Sequence, residues 1–189
     1  SALNNKLHFF ESNKTIMRDK SNFVGSFGGE TRFVGESSSS SAKIKYLLAK
    51  RHTFGKMTLE IKDKDGKIVT SLSPGKSKGI NIVEWGFTIK QPKVAKGKTL
   101  SRGGFTSPRV QEGIYTAVIK KGKDVFENKF ELVYDTVTGL SISDRKKKHT
   151  ITMQLYDMTQ ELAYLVYELD LIISKSSSKS KVLKSFQEL

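Results

Sequence analysis

The sequence predicts a mostly β protein with an α appendage, namely an antiparallel Ig-like β-sandwich followed by a helical hairpin. Three observations carry that expectation. Short runs of alternating apolar residues recur between turn signals from residue 44 to residue 132. An apolar seam at helical spacing then runs from Ile151 to Ile172. Charge is unevenly placed as well: of a formal net +14, residues 37–135 hold +11 (20 basic, 9 acidic), residues 1–36 hold +1 and residues 136–189 hold +2. The expected division is therefore an irregular lead-in segment or linker (1–36), an Ig-like sandwich (37–135), and a long amphipathic helix with the start of a second (136–189).

Residues 1–36 mix Asn, Lys, Ser and Gly with scattered aromatics and keep neither period for long, and the Ser run 37–41 is polar enough for an exposed linker. Residues 44–48 are apolar apart from Lys45 and bounded by Lys43 and Lys50. Met57, Leu59 and Ile61 alternate with Thr58, Glu60 and Lys62, the pattern of a strand with one buried and one wet face. Lys64-Asp65-Gly66-Lys67 is a hairpin turn, because Asp-Gly tolerates the positive φ that such a turn needs, and residues 68–72 return. After the turn at Ser73-Pro74-Gly75, residues 80–87 form a strand with Val83, Trp85 and Phe87 on one face. Residues 88–112 lack periodicity over a length unusual for a loop inside a compact domain. Residues 113–120 and 125–132 finish the set around the Lys121-Gly122-Lys123 turn, with Tyr115 and Phe130 as core candidates.

Beyond Asp135 the period changes. Ser141 with Asp144 has the form of a capping box. Ile151, Leu155, Met158, Leu162, Leu165, Leu169 and Ile172 then follow at alternating spacings of 4 and 3, a heptad seam within a helix expected over 143–174. Val182, Phe186 and Leu189 begin a second amphipathic arm. The chain opens without Met and closes on an apolar helical position, as a piece of a longer protein would.

Composition excludes several chemistries. There is no Cys, hence no disulfide, thiolate zinc site or Cys nucleophile. No apolar run approaches the 18 or so residues of a membrane span, and the first residues lack the order of a signal peptide. His8, His52 and His149 lie far apart without ligand spacing, no Ser sits in a nucleophile elbow, and Asp63 with Asp65 reads as turn chemistry. No catalytic, metal or cofactor residue is assigned. Arg102, Phe105 and Arg109 surround a Gly-rich corner without the following helix that a phosphate loop requires, so they are interaction candidates only. The lysines run through every turn of the middle segment without a recognition motif, which disfavours nucleic acid as a partner and suits a solvated basic surface.

Three blocks carry a family resemblance. Residues 78–85 (KGINIVEW), 97–110 (GKTLSRGGFTSPRV) and Gly113-Ile114-Tyr115 resemble the C-terminal region of bacterial sortilin-like proteins with BNR-repeat propellers, which are often labelled glycosyl hydrolase-like; residues 155–167 resemble its helical part. The resemblance covers about residues 34–173 and implies an Ig-like domain similar to that of the flagellar hook-capping protein, an exported parent, and the parent's own propeller as a partner. Glu112 and Asp135-Thr136 stand where the family usually has Pro and Asp-Pro, and no propeller repeat is visible in the chain. The expected function is a non-catalytic accessory and interaction module, with the seam residues Ile151, Leu155, Met158, Leu162 and Leu165 as interaction candidates, covered by a second copy in an antiparallel homodimer or by an intrachain contact with the second arm, the sandwich or the lead-in segment. The alternative is a polyanion- or carbohydrate-binding module using the basic sandwich surface. A glycoside hydrolase would need two positioned carboxylates, and no such pair is legible.

Overall fold

The computed structural model describes residues 6–11, 14–17, 41–95, 107–135 and 140–175. The chain divides into two compact units, residues 1–90 with 109–146 and residues 91–108 with 147–189. The first unit is two sheets over one core. One sheet has the order β1 (Leu7–Phe9), β3 (Ala42–Leu48), β6 (Gly79–Trp85); the other has β2 (Thr15–Met17), β8 (Asp124–Tyr134), β7 (Gly113–Lys121), β4 (Met57–Lys62), β5 (Ile68–Leu72). The pairs are antiparallel except β2 with β8, which is parallel, with Thr15 beside Leu132 and Met17 beside Tyr134.

Alternation explains the strands. In β3, Ala42, Ile44, Tyr46 and Leu48 are buried while Lys43 and Lys45 face water, and in β4, Met57, Leu59 and Ile61 are buried. These side chains meet Ala117 and Ile119 of β7 and Phe130 and Leu132 of β8 in one cluster. Asp63 closes the β4–β5 turn by accepting from the amides of Asp65 (3.0 Å) and Lys67 (2.9 Å), with Gly66 at φ 78°.

The lead-in segment is not wholly irregular. Leu7 and Met17 are buried members of the core, and each sits on a three-residue strand in a different sheet. Three residues are too few to show a period, and pairing with distant strands holds them where local propensity would not.

The strand expected over 80–87 ends at Trp85. Phe87 reaches the core by a different device, a left-handed backbone at φ 60°, which places its ring beneath the sheet at 0 % exposure. That conformation costs a non-glycine residue about 1–2 kcal/mol. Three contacts over-determine it. The Trp85 indole N–H donates to the Thr88 carbonyl at 2.9 Å, the Val110 amide donates to the Phe87 carbonyl at 2.8 Å, and the Arg109 guanidinium lies 5.5 Å above the Phe87 ring. Thr88 pairs with Arg109, so the two ends of the long connection are fastened together.

Among the described residues one helix, α1 (Ile142–Lys175), follows. Ser141 caps it: its hydroxyl accepts from the Asp144 amide at 3.1 Å and donates to the Asp144 carboxylate at 2.6 Å. The second arm expected around Val182, Phe186 and Leu189 lies outside the described residues.

Candidate interaction surface

The core candidates gather around Trp85, which is 1 % exposed. Its ring meets Phe87, Tyr115 and Phe130 edge-on at centroid distances of 6.1, 5.4 and 6.1 Å, while Val83 packs on the cluster from the same face of β6. These residues therefore build the sandwich and offer nothing to a ligand. Two buried hydroxyls anchor its loops. Tyr46 donates to the Gly75 carbonyl at 2.6 Å, and Tyr115 to the Gln111 carbonyl at 2.8 Å. Burial is the main cause that pushes both phenols up to about 12; the carboxylates of Asp63 and Glu112 add to it at Tyr115, and the Gly75 bond opposes it at Tyr46.

Arg109, read from sequence as an interaction candidate, lies with its guanidinium 5.5 Å above the ring of Phe87. Arg102 and Phe105 lie outside the described residues.

A contact that the sequence did not disclose fixes the first turn of α1. Arg145 donates to Glu112 through Nε (3.2 Å) and Nη2 (2.7 Å), donates to the Leu140 carbonyl at 2.6 Å, and lies 4.4 Å above the Tyr134 ring. A cation near a helix N-terminus is unfavourable by itself, and the fork on Glu112 offsets it. The same bond holds the Glu112 carboxyl below its ordinary range.

Beyond that turn the helix presents its seam to solvent. No residue of α1 is buried. Ile151, Leu155, Met158, Leu162, Leu165, Leu169 and Ile172 are 48 to 63 % exposed, and Ile142, Tyr164 and Tyr167 are similarly open. The half-covered positions Thr152, Tyr156, Thr159, Ala163 and Val166 lie on another stripe, roughly 110° around the axis at about 100° per residue. Next to that stripe is an apolar cavity of about 530 Å³, in which Val94 and Ala95 face Ala163, Tyr164, Tyr167 and Leu171. Seam and cavity are thus separate surfaces of the second unit.

Charge along α1 is uneven too. Arg145, Lys146, Lys147 and Lys148 crowd the N-terminal end beside Asp144; Asp157, Glu161, Glu168 and Asp170 follow, and Lys175 stands in the last turn.

Among the described residues no group of three or more His, Asp or Glu is placed to hold a metal ion. No helix there is long and apolar enough to cross a membrane. No family model matches the chain, and neither does any curated protein. Among solved structures, CopC from Methylosinus trichosporium OB3b is similar at 13 % identity over 52 % of this chain and 80 % of that one, with a TM-score of 0.28, a likeness too loose to carry an argument.

Proposed function

We propose that the chain is a non-catalytic interaction module that pairs with a second copy of itself, antiparallel, through the seam of α1. The observation that carries this reading is the exposure of seven heptad-spaced apolar side chains on one face of a helix with no buried residue. A Leu or Ile side chain gains about 1.5–3 kcal/mol on full burial, so leaving the stripe in water forgoes a large stabilisation. The seam spans roughly 32 Å at 1.5 Å per residue, enough for three layers of knobs-into-holes packing on either side of Leu162. Its spacings alternate between 4 and 3 throughout, so a helix running the other way also offers a heptad ladder.

Charge selects the direction. In a parallel pair the runs 145–148 of the two chains would stack on each other, whereas an antiparallel pair centred on Leu162 sets them at opposite ends, clear of each other.

The sandwich is read as Ig-like on two supports. The N-terminal strand is divided between the sheets, one half antiparallel on β3 and the other parallel on β8, and the Tyr115 hydroxyl closes onto the backbone four residues upstream. The sequence blocks that resemble sortilin-like proteins support placing such a module after a propeller in an exported parent, where it would serve assembly and leave chemistry to other parts.

Sedimentation equilibrium tests the pairing. A dimer is expected at micromolar concentration, converted to monomer by Leu155→Lys with Leu162→Lys while the near-ultraviolet signal of Trp85 is unchanged. A strict monomer at high micromolar concentration, or a dimer that survives both substitutions, would overturn it.

A further inference from the structure

One end of the sandwich is a basic pole with an apolar tip, a feature independent of the pairing of α1. The register puts Leu48 beside both Leu7 and Gly79, Leu59 beside Leu72, and Met57 beside Lys121, so the β3–β4 loop, the β5–β6 loop, the β7–β8 turn and Lys6 all leave the sheets together. Backbone hydrogen bonds tie these segments to one another. The His52 amide donates to the Lys76 carbonyl at 2.9 Å, the Gly122 amide to Lys56 at 3.4 Å, and the Ala49 amide to Lys6 at 3.4 Å. Lysines that the sequence scatters among separate turns are thereby collected on one surface. The first loop contributes Lys50, Arg51 and Lys56, the second Lys76 and Lys78, and the turn Lys123, all exposed. Asp124, the acidic residue among them, is bound by Lys6 at 2.9 Å. At the other end Asp63 and Asp65 balance Lys64 and Lys67, and Glu112 is bound by Arg145.

At the apex of the first loop stands Phe54, 88 % exposed. Its position is built. The Nε2–H of His52 donates to the Gly55 carbonyl at 3.1 Å, and Gly55 takes φ 87°, which closes the tip and turns the ring outward.

We propose that this end docks on an anionic lipid surface, with Phe54 entering the interfacial layer and the surrounding Lys and Arg facing the headgroup anions. A protruding apolar side chain inside a ring of cations fits a plane that is negative outside and apolar beneath. Single-stranded nucleic acid would call for a row of stacking rings along a groove, and the loops of this end carry one Phe and no Tyr or Trp.

Co-sedimentation of the full chain with vesicles tests it, using phosphatidylcholine alone and with about 30 % phosphatidylserine in about 0.1 M salt. Binding is expected only to the mixed vesicles and should fall as salt rises. Each cation removed should lower partitioning about fivefold, so Arg51→Gln with Lys56→Gln costs about 25-fold, whereas Lys64→Gln with Lys67→Gln at the other end costs nothing. Phe54→Ala should weaken binding severalfold without moving the melting temperature, and Phe54→Trp should show a blue-shifted emission on the mixed vesicles. Equal binding to both vesicles, or wild-type binding by Phe54→Ala, overturns the proposal. Tighter binding to a single-stranded oligonucleotide than to the mixed vesicles would assign the pole to nucleic acid and overturn it as well.

Discussion

The sandwich and the helix spend similar apolar residues in opposite ways. Leu48, Leu59, Ile61 and Phe87 of the sandwich are 0 % exposed, whereas Leu155, Leu162 and Leu165 of α1 are 57 to 59 % exposed. Both segments show regular apolar patterning, at period 2 in one and at 4-3 spacing in the other. Period alone therefore tells which face is apolar and leaves open whether the chain itself covers it. A strand face is covered because a second sheet lies within the same unit; a heptad face waits for another helix. One region completes its own core; the other, on the proposed pairing, is half of an interface.

The sharpest way to break the contrast is to damage the core alone. Trp85→Ala removes a ring that touches three other aromatics and a hydrogen bond that supports the left-handed turn at Phe87, and should cost about 3–5 kcal/mol of sandwich stability. Near-ultraviolet dichroism should lose its cooperative transition at room temperature or slightly above, while the helical signal at 222 nm keeps its dependence on protein concentration. Loss of both together would mean that the two regions share one cooperative transition.

High pH should separate them by chemistry. Tyr46 and Tyr115 are held as neutral phenols to about 12 in the folded sandwich, against 10.0 when unfolded. The folded state binds these protons more tightly, so the stability they allow is complete below pH 10 and drains away as pH rises from 10 to 12. Denaturant midpoints should fall across that window, and Tyr115→Phe should flatten part of the fall.

The smallest effect belongs to the tie at the helix start. Glu112 has its carboxyl held low chiefly by the bond from Arg145, so the tie is intact above the ordinary Glu range and is lost as pH drops through the lowered folded value. Both side chains are partly exposed, which limits its worth to about 1 kcal/mol. Glu112→Gln should speed exchange of the Asp144 and Arg145 amides and abolish their acid sensitivity, with little change in the melting of the sandwich.

What the sequence disclosed was the repeating part of the fold. Alternation marked β3, β4, β7 and β8 to within a few residues, Asp65-Gly66 marked a hairpin turn, and Ser141 with Asp144 marked the start of α1. What stayed hidden depends on partners far along the chain. The strands β1 and β2 are three residues each, and Phe87 adopts a positive φ that an aromatic residue gives no reason to expect. Arg109 is drawn to a ring that reaches its position only through that turn. The basic pole escaped notice for a related reason: Lys50, Lys76 and Lys123 become neighbours only after the strand registers are known.

The pairing of β2 with β8 also sets a clock. Lys6 and Asp124, which meet at 2.9 Å, stand 118 positions apart, as do Phe10 and Asn128. A ribosome adding about 5–20 residues per second makes β8, the partner of β2, roughly 6 to 24 s after β2 itself. Through that interval Met17 stands without the strand that will hold it, whereas β1 gains its partner β3 much sooner. During its own synthesis, then, the sandwich carries an unpaired early strand until β8 is made.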